Sequence, residues 1–218
     1  MKDIYIFSAG SSGREIFNLI QEINSSFKQE WNVIAYVESS KNLVGKTIDG
    51  IRVIDTNSIK NKGTTFAICP IMDPNIRKNI YANEILKLGL STTNIIHPNV
   101  KIPKNSKIGQ GSIIFNNVHI SYEVNIRDYA LISNFSDVGH NLSAGECLTI
   151  MPSVVIGGNC KIGNNVVLGS NSTLIQNLSI GDNNKIGSNC LITKNTEKQK
   201  SFSQINRIIE RDIKNLSH

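Results

Sequence analysis

An aliphatic residue recurs every six positions through the second half of this chain, and few backbones can obey such a beat. Stepping by six from Ile96 reaches Ile102, Ile108, Ile114, Ile120, Ile126, Ile132, Val138, Ala144, Ile150, Ile156, Ile162, Leu168, Leu174, Ile180, Ile186 and Ile192, with no insertion or deletion. A second series four residues later includes Val118, Val124, Ala130, Leu142, Leu148, Val154, Cys160 and Val166, filled otherwise by Ser, Asn184 and Thr196. Gly often follows the aliphatic residue, as at Gly109, Gly139, Gly145, Gly157, Gly163, Gly169, Gly181 and Gly187. An α-helix, at about 3.6 residues per turn, would walk such a stripe around its surface. A hairpin sheet would need longer and less regular spacing between turns. A coil with three flat faces of six residues satisfies the beat. Its aliphatic residues point inward, the second series tucks beside them, and Gly or Asn takes the strained backbone at each bend. Stacked about 4.8 Å apart, such coils pair their backbones in parallel and bury one another's faces.

Before Ile96 the pattern changes. Ile4–Phe7 reads as a buried strand, followed by Ser8-Ala9-Gly10-Ser11-Ser12-Gly13-Arg14 and a helix with Ile16, Leu19, Ile20 and Ile23 on one face. A second strand, Val33–Val37, ends at Glu38, and a third spans Thr64–Cys69. Asp73-Pro74 opens a second helix through Ile76, Ile80, Ile85 and Leu88, with Gly89 at its exit. Alternating strand and helix imply a small parallel sheet with a Rossmann-like first crossover. A Gly-rich strand-to-helix turn offers free N–H groups to a phosphate, although Gly10 and Gly13 fall short of the full dinucleotide fingerprint. Fewer than a hundred residues leave room for a mononucleotide or nucleotide-sugar rather than a dinucleotide.

The chain holds 23 Lys and Arg against 17 Asp and Glu, a net charge of +6 that favours anionic partners. The basic residues are scattered, without interleaved aromatics, so a nucleic-acid partner is not expected. Cys69, Cys147, Cys160 and Cys190 show neither C-x-x-C pairing nor zinc-ligand spacing; they read as small buried hydrophobes, with no metal. No basic n-region and no long apolar stretch opens the chain, so no signal peptide, no membrane span and a cytoplasmic location are expected.

Together, the strand–helix unit, Ile96-His97-Pro98 and the six-residue coils resemble bacterial sugar acetyltransferases of surface-glycan synthesis. These comprise N-acetyltransferases acting on nucleotide-linked amino sugars and the related sialic-acid O-acetyltransferases. The resemblance implies a Rossmann-like nucleotide-sugar-binding domain over 1–95 and a left-handed parallel β-helix over 96–197. It further implies a homotrimer, with acetyl-CoA as acyl donor in the groove between neighbouring helices and a nucleotide-linked sugar as acceptor. The family's Gly-x-Pro-Ala-Lys ending is missing. Residues 198–218 read instead as a helix beginning at Ser203, with Ile205, Ile208, Ile209, Ile213 and Leu216 on one side.

Acyl transfer from a thioester needs a base for the acceptor and hydrogen-bond donors for the developing oxyanion. His140, in Val138-Gly139-His140-Asn141, matches the family's catalytic histidine, and its place in the hexad turns the ring outward. Gly158, one coil later, matches the glycine whose N–H meets the thioester carbonyl. Thr149, Ser170 and Ser188 match positions along the coenzyme groove, Thr149 standing where some relatives have histidine. Gly10, Ser11, Ser12, Val37, Glu38, Met72 and Asp73 match the segments that hold the nucleotide. Many relatives place an acid directly after the histidine, where this chain has Asn141. An amide orients an imidazole but does not stabilise imidazolium as a carboxylate does. Asp137, Glu123 and a backbone carbonyl are all open as substitutes. His119 reads as a surface or inter-subunit residue, and His97 as the cap of the first coil.

Three other readings compete. O-acylation of a sugar hydroxyl asks for the same base. A non-catalytic nucleotide-sugar-binding scaffold would account for Ser8, Ser11 and Met72 standing where relatives often have Gly. A β-helix carbonic anhydrase would need three histidines converging on a metal, which the spacing of His97, His119 and His140 does not give.

Overall fold

The computed structural model describes residues 1–26, 30–61 and 63–204. The helix expected from Ile205 onward lies outside them. The N-terminal unit is built from strands β1 (Lys2–Ile6), β2 (Trp31–Val37), β3 (Thr47–Ile48), β4 (Ile51–Ile54), β5 (Phe66–Ile68) and β6 (Ser91–Thr92), with helices α1 (Ser11–Ser26) and α2 (Pro74–Ile80). The sheet runs β3-β4-β2-β1-β5-β6. Every pair is parallel except the β3–β4 hairpin. That hairpin escapes the sequence reading, although Asp49-Gly50 carries its signal: both residues adopt left-handed φ, 51° and 77°, as a tight two-residue turn requires.

Helix α1 buries Ile16, Leu19, Ile20 and Ile23 against the sheet, the face its spacing predicts. Gly13 allows the helix to sit that close, because a Cβ there would lie 2.0 Å from the Ser8 carbonyl oxygen. Helix α2 departs from expectation. Its N-cap is Asp73, whose carboxylate accepts from the N–H groups of Asn75 and Ile76, and Pro74 follows at the first turn. The helix then widens into a π turn over Tyr81–Ile85. The buried face carries Arg77, Tyr81 and Ile85, while Ile76, assigned inward by pattern, is exposed.

From Ile95 the chain winds into a parallel β-solenoid whose two-residue strands pair with those eighteen positions away, as Asp137–Val138 does with Val155–Ile156. Three sheets result. Face 1 contains the strands ending at Ile120, Val138, Ile156, Leu174 and Ile192; face 2 those ending at Ile108, Ile126, Ala144, Ile162 and Ile180. Face 3 has seven strands, ending at Ile96, Ile114, Ile132, Ile150, Leu168, Ile186 and Phe202. The last of these, Ser201–Phe202, pairs with Lys185–Ile186, so the coil runs past the boundary expected at residue 197. Inward aliphatic residues form one continuous core from Ile114 to Ile192.

The bends divide their labour differently from expectation. Left-handed backbone falls at the third residue after the aliphatic one, including Asn117, Asn141, Asn159, Asn165, Asn171, Asn177, Asn183 and Asn189, with φ between 54° and 64°. Asn tolerates this region better than most side chains. Among the repeat glycines, only Gly111 has positive φ. The others leave room for the neighbouring coil: at Gly139 a Cβ would lie 2.5 Å from the Ile156 carbonyl oxygen, and at Gly157 2.5 Å from the Gln176 nitrogen.

Face 3 carries the N-terminal unit. Its outward residues Ile95, Ile113 and Leu131 join the core of Ile4, Ile6, Ile16 and Ile68. Arg77 rivets the seam, fully buried and, among the described residues, in no ion pair. Nε donates to the Tyr129 carbonyl at 2.9 Å, Nη1 to those of Ile71 and Met72, and Nη2 to those of Cys147 and Leu148 and to Thr149 Oγ1. All five guanidinium donors are thus engaged. Burial pushes its pKa down, yet a guanidinium remains charged. Tyr81 adds a second tie. It stacks on Tyr129 with ring centroids 4.1 Å apart and donates its hydroxyl to the Gly111 carbonyl at 3.0 Å.

Candidate active site

His140 stands two residues past Val138, at the corner where face 1 turns into face 2. Tyr122 and Gly158 occupy the same corner one coil to either side. The Tyr122 ring lies parallel to the imidazole, 6° between planes and 5.2 Å between centroids. On the opposite side the imidazole covers Gly158 so closely that a Cβ there would be 2.4 Å from Nε2. The ring is half-buried, neither sealed in the prism nor free in solvent.

The neighbouring column completes the setting. His140 Nδ1 is 2.8 Å from Asn141 Oδ1. The Asn141 Nδ2 in turn donates to Glu123 Oε2, one coil away. Of the substitutes considered for the missing acid, Glu123 is therefore the one in contact, through an amide. Asp137 is occupied elsewhere, 2.7 Å from His119 Nδ1 in an exposed pair.

The corners differ in what becomes of the N–H two residues past the inward aliphatic residue. At the corner between faces 2 and 3, the corresponding N–H groups of Gln110, Glu146 and Asn164 are taken by the side chains of Asp128, Asn164 and Asp182. At the corner of His140, by contrast, the N–H groups of Tyr122, His140, Gly158 and Gln176 donate to nothing among the described residues, and that of Gly158 is the one next to the imidazole's Nε2 side. A donor left free beside an imidazole is what a developing oxyanion needs.

Ser170 and Ser188 lie elsewhere, at the corner between faces 3 and 1, with Ser170 half-buried and Ser188 exposed. One chain does not bring them to His140. Along the same corner runs a groove of about 440 Å³ between α1 and the coils, lined by Met72, Phe115, Phe135 and Met151, with Glu15 and Glu22 on the helix side. His97 closes one end, its Nε2 3.1 Å from Glu22 and its Nδ1 2.7 Å from Asn99 Oδ1, so it ties α1 to the first coil.

Thr149 requires a correction. It sits on face 3 under the N-terminal unit, fully buried. Its hydroxyl donates to the Met72 carbonyl and accepts from Arg77, both at 2.9 Å. The side chain belongs to the seam and offers nothing to an acyl group. Met72 is held in place by the same network, and Asp73 by its cap on α2.

At the carboxyl ends of the parallel strands, the turn after β1 meets the end of β2. Glu38 accepts from the N–H of Ala9 at 3.2 Å and from those of Ser39 and Ser40. Ser8 Oγ accepts from the Gly10 N–H at 3.3 Å. Val37 is buried beneath, whereas Gly10 and Ser11 are exposed at the start of α1 and Ser12 is half-buried. Phe7, Val37, Glu38 and Glu84 line a crevice of about 70 Å³ beside them. Desolvation, with Glu38 adding to it, raises the pKa of Glu84. Arg14, one turn into α1, grips Asp49 of the hairpin with two hydrogen bonds of 2.8 and 2.9 Å.

Among the described residues, no three His, Cys, Asp or Glu side chains gather closely enough to hold a metal ion, and no helix is long and apolar enough to cross a membrane.

A solenoid of six-residue turns presenting an outward histidine over a glycine N–H defines a hexapeptide-repeat transferase. Residues 145–176 match the bacterial transferase hexapeptide family (six repeats). Over 158 residues, 70% of this chain and 69% of the relative, the sequence is 30% identical to GDP-perosamine N-acetyltransferase of Escherichia coli O157:H7. The fold is shared with PerB from Caulobacter crescentus, solved with CoA and GDP-perosamine, at a TM-score of 0.82, 18% identity and coverage of 92% of this chain and 93% of that one. WeeI from Acinetobacter baumannii AYE gives a TM-score of 0.82 at 20% identity, covering 92% and 96%. The acetyltransferase domain of PglB from Neisseria gonorrhoeae, solved with acetyl coenzyme A, gives 0.78 at 19%, covering 91% and 96%. The chain belongs to the bacterial hexapeptide-repeat sugar acetyltransferases, and it is an acyltransferase.

Proposed function

We propose that this protein transfers the acetyl group of acetyl-CoA to the amino group of a nucleotide-linked amino sugar, in surface-glycan biosynthesis, with His140 as general base. The N-terminal unit is read as a Rossmann-like domain holding the nucleotide, and the coils as a left-handed β-helix. The free N–H groups of Ser11 and Ser12, with Gly10 beside them at the positive end of α1, suit a phosphate, while Val37, Glu38, Met72 and Asp73 flank the nucleotide and sugar. Nε2 of His140 takes a proton from the amine as its nitrogen attacks the thioester carbonyl. The Gly158 N–H donates to the oxyanion that forms. Collapse of that intermediate breaks the carbon–sulfur bond, and the imidazolium returns its proton to the departing thiolate. Asn141 holds the ring through Nδ1. Because Ser170, Ser188 and the Met72 groove lie at a different corner from His140, the working site is assigned to the crevice between two chains of a homotrimer, where the coenzyme lies along Ser170 and Ser188.

The observation carrying this reading is the imidazole seated over the unpaired N–H of Gly158. Its test is a thiol-release screen with acetyl-CoA and a panel of nucleotide-linked amino sugars, deoxyamino sugars included. We expect turnover with an amino sugar and a loss of about 10³-fold in His140→Ala, the range expected for a positioned base. Turnover only with hydroxyl acceptors would move the reading to O-acylation. Nucleotide-sugar binding without thiol release would make the protein a scaffold.

A further inference from the structure

The Asn141 amide lies between a ring nitrogen and a carboxylate, an arrangement that decides where the imidazole proton sits. A carboxylate only accepts hydrogen bonds, so the amide turns its Nδ2 toward Glu123. Its Oδ1 then faces His140 Nδ1 at 2.8 Å, and an amide oxygen can only accept. The neutral imidazole therefore carries its proton on Nδ1 and a lone pair on Nε2, the nitrogen over Gly158. Reversing the amide would set its oxygen against the carboxylate and place the proton on Nε2, where no base could act.

We propose that Glu123 is a positioning residue for the reaction: through the Asn141 amide it holds His140 in the tautomer whose Nε2 can accept the acceptor's proton. The proposal rests on His140 being the base. Among the described residues, no other charged group touches the Asn141 amide or the His140 ring. Tyr122 stacks on the ring and fixes its plane, Gly158 brings no side chain, and Asp137 is engaged by His119. The same orientation serves the protonated state, since imidazolium also donates from Nδ1 to Oδ1. The acid that relatives carry beside the histidine is thus supplied here from one coil away.

The tautomer is read directly from long-range ¹H–¹⁵N correlation spectra of the full-length protein labelled with ¹⁵N-histidine, His140→Ala assigning the signal. The wild type is expected to show the Nδ1–H form. Glu123→Lys, whose ammonium donates to the amide oxygen and turns the amide over, is expected to show the Nε2–H form and to lose at least about 100-fold in kcat, a wrong tautomer being severe at such a base. Glu123→Gln, which can meet the amide either way round, is expected to lose about tenfold in kcat. In both, KM for acetyl-CoA stays within about twofold, the signature of a group that acts only in the chemical step. Exchanging the pair in Glu123→Gln with Asn141→Asp restores acid next to imidazole and amide behind it, and kcat should return to within about threefold of wild type. Asn141→Asp alone sets two carboxylates against each other and should stay below the exchanged pair. An unchanged tautomer in Glu123→Lys, or wild-type kcat in both Glu123 variants while His140→Ala is inactive, would overturn the role of Glu123 alone. Full activity in His140→Ala would remove the base assignment and this proposal together.

Discussion

At the scale of single residues, two adjacent glycines separate chemistry from architecture. Gly157 and Gly158 follow Ile156, and neither has positive φ, so neither is required by backbone conformation. A methyl group at Gly157 would meet backbone of the next coil, 2.5 Å from the Gln176 nitrogen. At Gly158 it would meet the imidazole instead, 2.4 Å from Nε2 and 2.5 Å from Cε1. The ring cannot retreat without leaving Tyr122 or breaking its bond to Asn141. Gly158→Ala keeps its N–H but should push the imidazole aside; its melting temperature should stay within about 2 °C while acetyl transfer falls about 100-fold, the scale of misplacing a reacting group by about 1 Å. Gly157→Ala should instead lose about 2 kcal/mol of stability, as overpacking does. Paired thermal melts and thiol-release rates test this; equal activity loss at equal stability loss would mean that both positions are merely structural.

At the scale of elements, the coils were almost wholly legible and the seam was not. The six-residue beat locates the inward positions because every face repeats the same constraint, so each residue is confirmed by its neighbours one coil away. The stacking of Gly158 on His140 was legible in the same way, by register, whereas the role given to the pair came from resemblance. What the beat could not show is which side chains face the N-terminal unit. Thr149 sits at a position matched to the coenzyme groove, but face 3 is covered there. Helix α2 misled for a related reason: Ile76, Ile80 and Leu88 suggest an apolar face, whereas the helix is rotated to place Arg77 against carbonyls of the coils. A buried arginine leaves no mark in hydrophobic periodicity. The one available signal was an Arg on the same helical face as Tyr81 and Ile85. Replacing it by Met leaves the carbonyls of Ile71, Tyr129 and Cys147 without their donor, while those of Met72 and Leu148 keep the Thr149 hydroxyl and the Leu131 N–H, and the expected cost is about 3 kcal/mol. Arg77→Lys, with three donors in place of five, should recover only part of this. Trp31 is the chain's single tryptophan and is buried in the N-terminal core. Its fluorescence in a urea titration therefore follows the N-terminal unit, while circular dichroism follows the coils. A lowered fluorescence midpoint with the coil transition retained is expected; coincident, unshifted transitions would deny Arg77 its role at the seam.

At the scale of the whole molecule, the three faces of the prism are chemically unequal. Face 3 is covered as far as Thr149 by the N-terminal unit. Face 2 turns Lys107, Asn125, Ser143, Lys161 and Ser179 outward, all of them exposed and polar. Face 1 turns outward the His119–Asp137 pair at one end and then Val155, Thr173 and Leu191, with Val155 and Leu191 42% and 60% exposed and Ile175 beside them at 41%. Apolar side chains gathered on one face mark an association surface, whereas the lysines of face 2 would resist one. Face 1 also separates the two halves of the proposed site: His140 and Gly158 stand on one of its edges, and Ser170, Ser188 and the groove at Met72 on the other. In the trimer proposed above, a neighbouring chain laid along this face would join one edge to the opposite edge of its partner, and three such contacts would close a ring. Assembly and activity should then be lost together. Val155→Lys places a charge in the middle of face 1, on the strand that leads to Gly158, without touching the inward core. Sedimentation should find it as a monomer of 24.0 kDa with the dichroism of the wild type and acetyl transfer at background. Lys161→Glu, on face 2, should leave both mass and rate unchanged. A monomeric Val155→Lys protein turning over at the wild-type rate would mean that one chain holds the complete site.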